Sequence, residues 1–152
     1  MNKRIYVATD GSAIGNPGPG GWAAVFACGR EEWTISAASP WTTASEMELR
    51  AAVEALRSLD LNSQVELSSD SEYLIRGMRY LAARWCSQGW RNSRGLPLQH
   101  QALWQELLRL DRMYRVRWRW VRGHNGHPMQ TRADAVAYSE AWHQRLEQRV
   151  AA

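Results

Sequence analysis

Runs with a period of two come first in this chain and runs with a helical period come later, which restricts it to a sheet begun by a meander and completed through helices. Ile5 and Val7 mark a short strand ending at Thr9-Asp10-Gly11-Ser12, and Gly15-Asn16-Pro17-Gly18-Pro19-Gly20-Gly21 beyond it predicts a turn directly after Asp10. Residues 22–28 and 32–39 read as two further strands joined at Gly29-Arg30, an antiparallel arrangement. From 43 to 59, Leu49, Ala52, Val53, Leu56 and Leu59 recur at helical spacing behind Pro40 and a Thr42 or Thr43 cap. A strand at 65–69 ends at Asp70. A helical stretch at 71–84, a looser segment with Gly89, Gly95 and Pro97, and a helix carrying Leu103, Leu107 and Leu110 follow. Between 115 and 121, Arg115, Arg117 and Arg119 alternate with Val116, Trp118 and Trp120, so one face of that strand is cationic and the other apolar. Trp22, Trp118 and Trp120 are expected in the core. A loop at 122–128 leads to a final helix from Arg132 to about Arg149. Strands first and mixed elements after predict one mixed sheet flanked by helices, in a single domain of 152 residues.

Four carboxylates occupy telling places in this pattern. Asp10 and Asp70 close strand runs, where sheets present ligands. Glu48 heads the apolar stripe that continues through Ala52, Ala55 and Leu56. Asp134 heads the stripe of Ala137, Tyr138 and Ala141, in the expected first turn of its helix. Each alone is ordinary: a turn opener, a helix cap, two first-turn charges. Brought together they would repel, and would take up protons or a cation. Hard oxygen ligands select Mg²⁺, with Mn²⁺ as a substitute. Two such ions about 4 Å apart can activate water and stabilise a departing oxygen in phosphodiester cleavage.

The net charge of +4 and pI near 9.5 come almost wholly from arginine, which favours a polyanionic partner. Cys28 and Cys86 form no CxxC pair and are expected to be buried, reduced thiols. No apolar run approaches the ~18 residues of a membrane span and no secretory leader is visible, so a cytoplasmic protein is expected. The glycine-rich loop lacks the Gly-Lys-Ser/Thr of a phosphate-binding loop. His124 and His127 lie between glycines and before Pro128, not on a helix, which disfavours zinc.

Thr9-Asp10-Gly11-Ser12, the 15–21 loop, Thr43, Met47-Glu48-Leu49, Ser69-Asp70-Ser71, Gly89-Trp90, Trp120-Val121-Arg122-Gly123-His124, Gly126-His127 and Ala133-Asp134 together closely resemble type 1 ribonuclease H, the bacterial ribonuclease HI family. The resemblance spans nearly the whole chain. It implies an α/β ribonuclease H-like fold, a five-stranded mixed sheet flanked by helices on both faces. It implies hydrolysis of the RNA strand of RNA–DNA hybrids with two metal ions, leaving 5′-phosphate and 3′-hydroxyl ends. By the same resemblance Asp10, Glu48, Asp70 and Asp134 would hold the metals, and His124 would assist proton transfer or product departure. Asn16 would approach the minor groove, where a 2′-hydroxyl marks RNA, and Thr43 would contact a DNA phosphate. Trp85, Trp90, Arg84 and Arg91, with Arg79 and Arg94, resemble a basic protrusion that grips the hybrid. The chain departs from the family at Ala44, Ser45, Glu46 and Glu72, where groove-reading side chains are usual, and at Gln130-Thr131. A monomer without protein partners is expected. A hybrid-binding module and a DNA-cutting nuclease are the competing readings.

Overall fold

The computed structural model describes residues 3–123 and 126–152. Five strands form one sheet in the order β3-β2-β1-β4-β5: β1 (Lys3–Ala13), β2 (Gly18–Cys28), β3 (Glu31–Thr42), β4 (Ser63–Ser69) and β5 (Arg117–Trp120). The β1–β2 and β2–β3 pairs are antiparallel, and the β1–β4 and β4–β5 pairs parallel. Helices lie on both faces, as expected for a mixed sheet of this element order.

Strand β1 does not stop at Asp10. Its ladder with β2 continues through Asp10↔Ala23, Gly11↔Trp22, Ser12↔Gly21 and Ala13↔Gly20, so the turn falls at 14–17, closed by Ile14 N–H donating to Pro19 O at 2.8 Å. Ladder hydrogen bonds use backbone alone, and glycines flanked by a long partner strand extend as readily as they bend. The expected turn directly after Asp10 is therefore displaced three residues onward.

Helix α1 (Ala44–Arg57) starts where its cap predicts. Thr43 is extended, and its side chain accepts from Glu46 N–H at 3.2 Å. Met47, Leu49, Ala51, Ala52, Val53, Ala55 and Leu56 are buried along it. The stretch expected as one helix is interrupted: α2 (Glu72–Arg76) passes through a wide π-helical turn, Gly77–Leu81, into α3 (Ala82–Ser87). The Trp104 indole lies against Gly77, leaving no room for a β-carbon there. Helix α4 (Gln101–Tyr114) ends with Arg115 in the left-handed region, which delays β5 to residue 117. Helix α5 (Pro128–Ala151) begins four residues before the expected Arg132, because Pro128 sits at its first turn, where a missing N–H costs nothing.

One face of the sheet, with Ile5, Val7, Phe26, Val65, Leu67 and Trp118, packs with α1, α2, α3 and α4 into the main core around a fully buried Trp104. The other is crossed by α5, whose Ala133 packs with Ala8 and Val25. Trp120 departs from its expected core position, being 39% exposed. Cys28 and Cys86 are free but only half-buried. No helix among the described residues is long and apolar enough to cross a membrane.

Candidate metal centre

Asp10, Glu48 and Asp70 come together: each offers a carboxylate oxygen such that all three lie within 4.8 Å of one another. Three elements and a missing side chain produce this. Asp10 is on β1, and Gly11 after it lets α1 press onto the strand, since a β-carbon there would stand 2.4 Å from Glu48 N. That contact delivers Glu48 from the opposite layer. Asp70 directly follows β4. Ser69 Oγ accepts from Ser71 N–H at 3.0 Å, and Ser71 Oγ accepts from Leu74 N–H at 3.2 Å, capping α2. Trp120 Nε1–H donates to Asp70 O at 3.2 Å, and Val121 N–H to Ser69 O at 3.0 Å. Trp120 therefore braces the backbone of a site aspartate. Sequence patterning put it in the core because alternation records a face and not what covers it.

Asp134 stands outside the triad, nearly two turns into α5 and not in its first turn, but its carboxylate is in hydrogen-bonding contact with Asp10. Gln130, one turn earlier and buried, donates from Nε2 to Thr9 O at 2.9 Å. It ties α5 to the residue before Asp10, a role its place among the departures from the family did not suggest. Gly123 is a further addition, since a β-carbon on it would sit 2.8 Å from Asp70 Oδ2.

The electrostatics follow from burial. Asp10 is only 4% exposed. Burial pushes its carboxyl up to about 7, a hydrogen bond from Glu48 partly counters this, and the nearby charges of Asp70 and Asp134 add to the rise. Glu48 is raised well above its ordinary value, first by burial and then by the Asp10 charge. Its Oε2 is enclosed with no hydrogen-bond partner among the described residues. An orphaned buried oxygen beside two further carboxylates is costly as a structural device and well suited to a hard divalent cation.

The expected substrate residues are placed as follows. Asn16 Oδ1 accepts from Ala44 N–H at 2.9 Å, which joins the 14–17 turn to the start of α1 and leaves the Asn16 amide N–H groups for other partners. Thr43 is the α1 cap, and Thr42 Oγ1 donates to Glu46 Oε2 at 2.5 Å. Trp85 packs edge-on against Trp104 at 4.9 Å between centroids, and Trp90 also rests on the main core. Both are partly buried, so their exposed edges alone are free for contact. Arg84 and Arg91 are exposed, Arg91 donating to Gly95 O at 2.8 Å. His124 lies outside the described residues.

The RNase H family model matches residues 2–142. Among similar proteins, Ribonuclease H of Erythrobacter litoralis is 42% identical over 91% of this chain and 96% of its own length, and Ribonuclease HI of Caulobacter vibrioides 40% over 90% and 92%. The crystal structure of LC9-RNase H1, a type 1 RNase H with the type 2 active-site motif, superposes with a TM-score of 0.83 at 30% identity, covering 95% of this chain and 74% of that one. LC11-RNase H1, solved in complex with RNA/DNA hybrid, shares the fold at a TM-score of 0.69 over 90% of this chain and 96% of its own, at 21% identity.

Proposed function

Because the chain belongs to the RNase H family, we propose that it is an endonuclease hydrolysing the RNA strand of RNA–DNA hybrids at the carboxylate centre. The observation that carries this reading is the convergence of Asp10, Glu48 and Asp70 around a buried Glu48 oxygen with no partner among the described residues. Asp10, Glu48, Asp70 and Asp134 would hold two divalent ions, Mg²⁺ or in its place Mn²⁺. When bound, such ions neutralise the converging charge and supply Lewis acidity at a scissile phosphate.

The chain's own residues do the rest. Trp120 and Ser71 fix the Asp70 backbone, and Gln130 fixes α5 against β1, so the ligands are held before substrate arrives. Asn16 presents amide donors toward the minor groove, with Thr43 beside it as a phosphate contact. Arg84, Arg91 and the edges of Trp85 and Trp90 grip the hybrid from the protrusion. His124, one residue beyond Gly123, is assigned transfer of a proton to the departing 3′ oxygen. Water adds across the P–O3′ bond, which leaves a 5′-phosphate on one fragment and a 3′-hydroxyl on the other. We place this activity in a single-domain, cytoplasmic monomer that needs no protein partner.

The test is incubation with end-labelled RNA–DNA hybrid, duplex RNA and duplex DNA, with Mg²⁺, Mn²⁺ or chelator. Cutting confined to the hybrid's RNA and abolished by chelator is expected. Binding of hybrid without metal-dependent cutting, or scission of DNA, contradicts the reading.

A further inference from the structure

Helix α5 packs on β1, β2 and β3 and leaves the β4–β5 side of the same face open. Strand alternation puts residues 4, 6, 8 and 10 of β1 on that face, alongside 66 and 68 of β4 and 117 and 119 of β5. Two hollows lie along it. The first, about 450 Å³, is lined by Arg4, Tyr6, Glu66, Arg115 and Arg117. The second, about 200 Å³, shares Tyr6 and Glu66 with it and passes Ala8, Ser68 and Arg119 on the way to the start of α5. Asp10 is the next β1 residue on this face, about 20 Å from Arg4 along the strand. The two hollows form one trough that runs from an arginine cluster to the start of α5, where Met129 and Gln130 close it and Ala133 covers Ala8, so Asp10 lies beyond its end.

The charge in the trough is unbalanced. Glu66 faces both Arg117 Nε and Arg119 Nη1 at 3.8 Å, too long for hydrogen bonds, and those side chains remain 81% and 59% exposed. Ion pairs so open to solvent hold their partners weakly. Arg4 and Arg115 make no ion pair among the described residues. The Arg115 backbone is pinned at the end of α4 by its N–H donating to Asp111 O at 2.6 Å. Tyr6 is 41% exposed between the cations.

We propose that this trough binds a single strand of nucleic acid, with phosphates on Arg4, Arg115, Arg117 and Arg119 and a base stacked on Tyr6. Planar guanidiniums match phosphate oxygens in pairs, and an open aromatic face accepts any base. An acidic peptide could satisfy the charges. The run of arginines beside an exposed aromatic ring, on a chain whose proposed substrate is a nucleic acid, favours a nucleic acid, and that step rests on the proposed function.

The test uses the full chain and fluorescein-labelled oligodeoxythymidylate, by anisotropy in chelator so that nothing is cut. The R4Q/R117Q pair should weaken binding roughly tenfold and flatten the slope of log affinity against log salt by about 1.4, at about 0.7 for each single-strand phosphate no longer neutralised. A control pair of exposed arginines elsewhere, R30Q/R149Q, matches the charge change and should cost less than about threefold. Ultraviolet crosslinking should mark Tyr6, and R4Q/R117Q should still cut a short blunt hybrid at the wild-type rate. Equal losses from both pairs, no crosslink at Tyr6, or tighter binding of a polyglutamate peptide in the trough overturns the proposal. Failure of the wild-type chain to cut hybrid would sink only the assignment of hybrid cleavage, because binding is read without catalysis.

Discussion

Replacing Asp10 with Asn should stabilise the metal-free protein, most at alkaline pH. The Asp10 carboxyl titrates at about 7 in the fold against an ordinary 3.8. The folded state therefore holds more protons than the unfolded chain between those values, and stability is lost as pH rises through that window. Below about 3.8 the penalty is absent, and above about 7 it is complete. At about 1.4 kcal/mol per pH unit the whole window corresponds to roughly 4 kcal/mol, an upper bound because Glu48 shares the proton. Asn keeps the oxygen that accepts from Gly11 N–H at 3.0 Å and cannot ionise. Urea unfolding of D10N and wild type in chelator should differ by about 1 kcal/mol or less near pH 4.5 and by about 2–4 kcal/mol near pH 8. With a slope of about 2 kcal/mol per molar urea, the latter is a midpoint increase of about 1–2 M. Mg²⁺ should narrow the gap, because only the wild type gains a full ligand set by binding it. Equal midpoints near pH 8, or a gap that does not change with pH, would refute the reasoning.

Three other substitutions probe the scaffold. Gly123→Ala should push the Asp70 carboxylate aside and cut kcat/KM for hybrid by roughly tenfold or more, while melting shows less than about 1 kcal/mol of lost stability, since only a side-chain tip has to move. Gln130→Leu removes a buried donor from Thr9 O and should cost about 1–3 kcal/mol in urea unfolding together with weaker Mg²⁺ binding by calorimetry. Glu46 carries negative charge three residues from the proposed phosphate contact Thr43, so Glu46→Arg should lower KM for hybrid at low salt and steepen its rise with salt; an unchanged KM across ionic strength would count against the electrostatic reading.

Much of this architecture is legible in the residue order, for reasons that differ from element to element. Helix α1 is legible because its cap, stripe and flanking breaker agree, and that agreement also aims Glu48 inward. The convergence of Asp10, Glu48 and Asp70 follows from parallel pairing of β1 with β4 and the close approach of α1 over Gly11. The turn after β1 is misplaced because glycines look like breakers until their ladder partners are known. The start of α5 is missed because Pro128 reads as the end of a loop as easily as the first turn of a helix, and this moves Asp134 from the first turn to the second. Trp120, Gly123 and Gln130 carry no local signal. Their roles are contacts with Asp70 and Thr9, far away in sequence, and only the folded chain shows them.

The central claim is that the gathered carboxylates are a metal-dependent hybrid nuclease. The direct measurement is the rate of cleavage of an RNA–DNA hybrid by the wild type and by Asp10→Asn as Mg²⁺ is titrated from none to saturation. Metal-dependent cutting of the RNA strand alone, lost in the variant although it is the more stable protein, is the predicted result. Cutting that persists in chelator, or survives in Asp10→Asn, would contradict it.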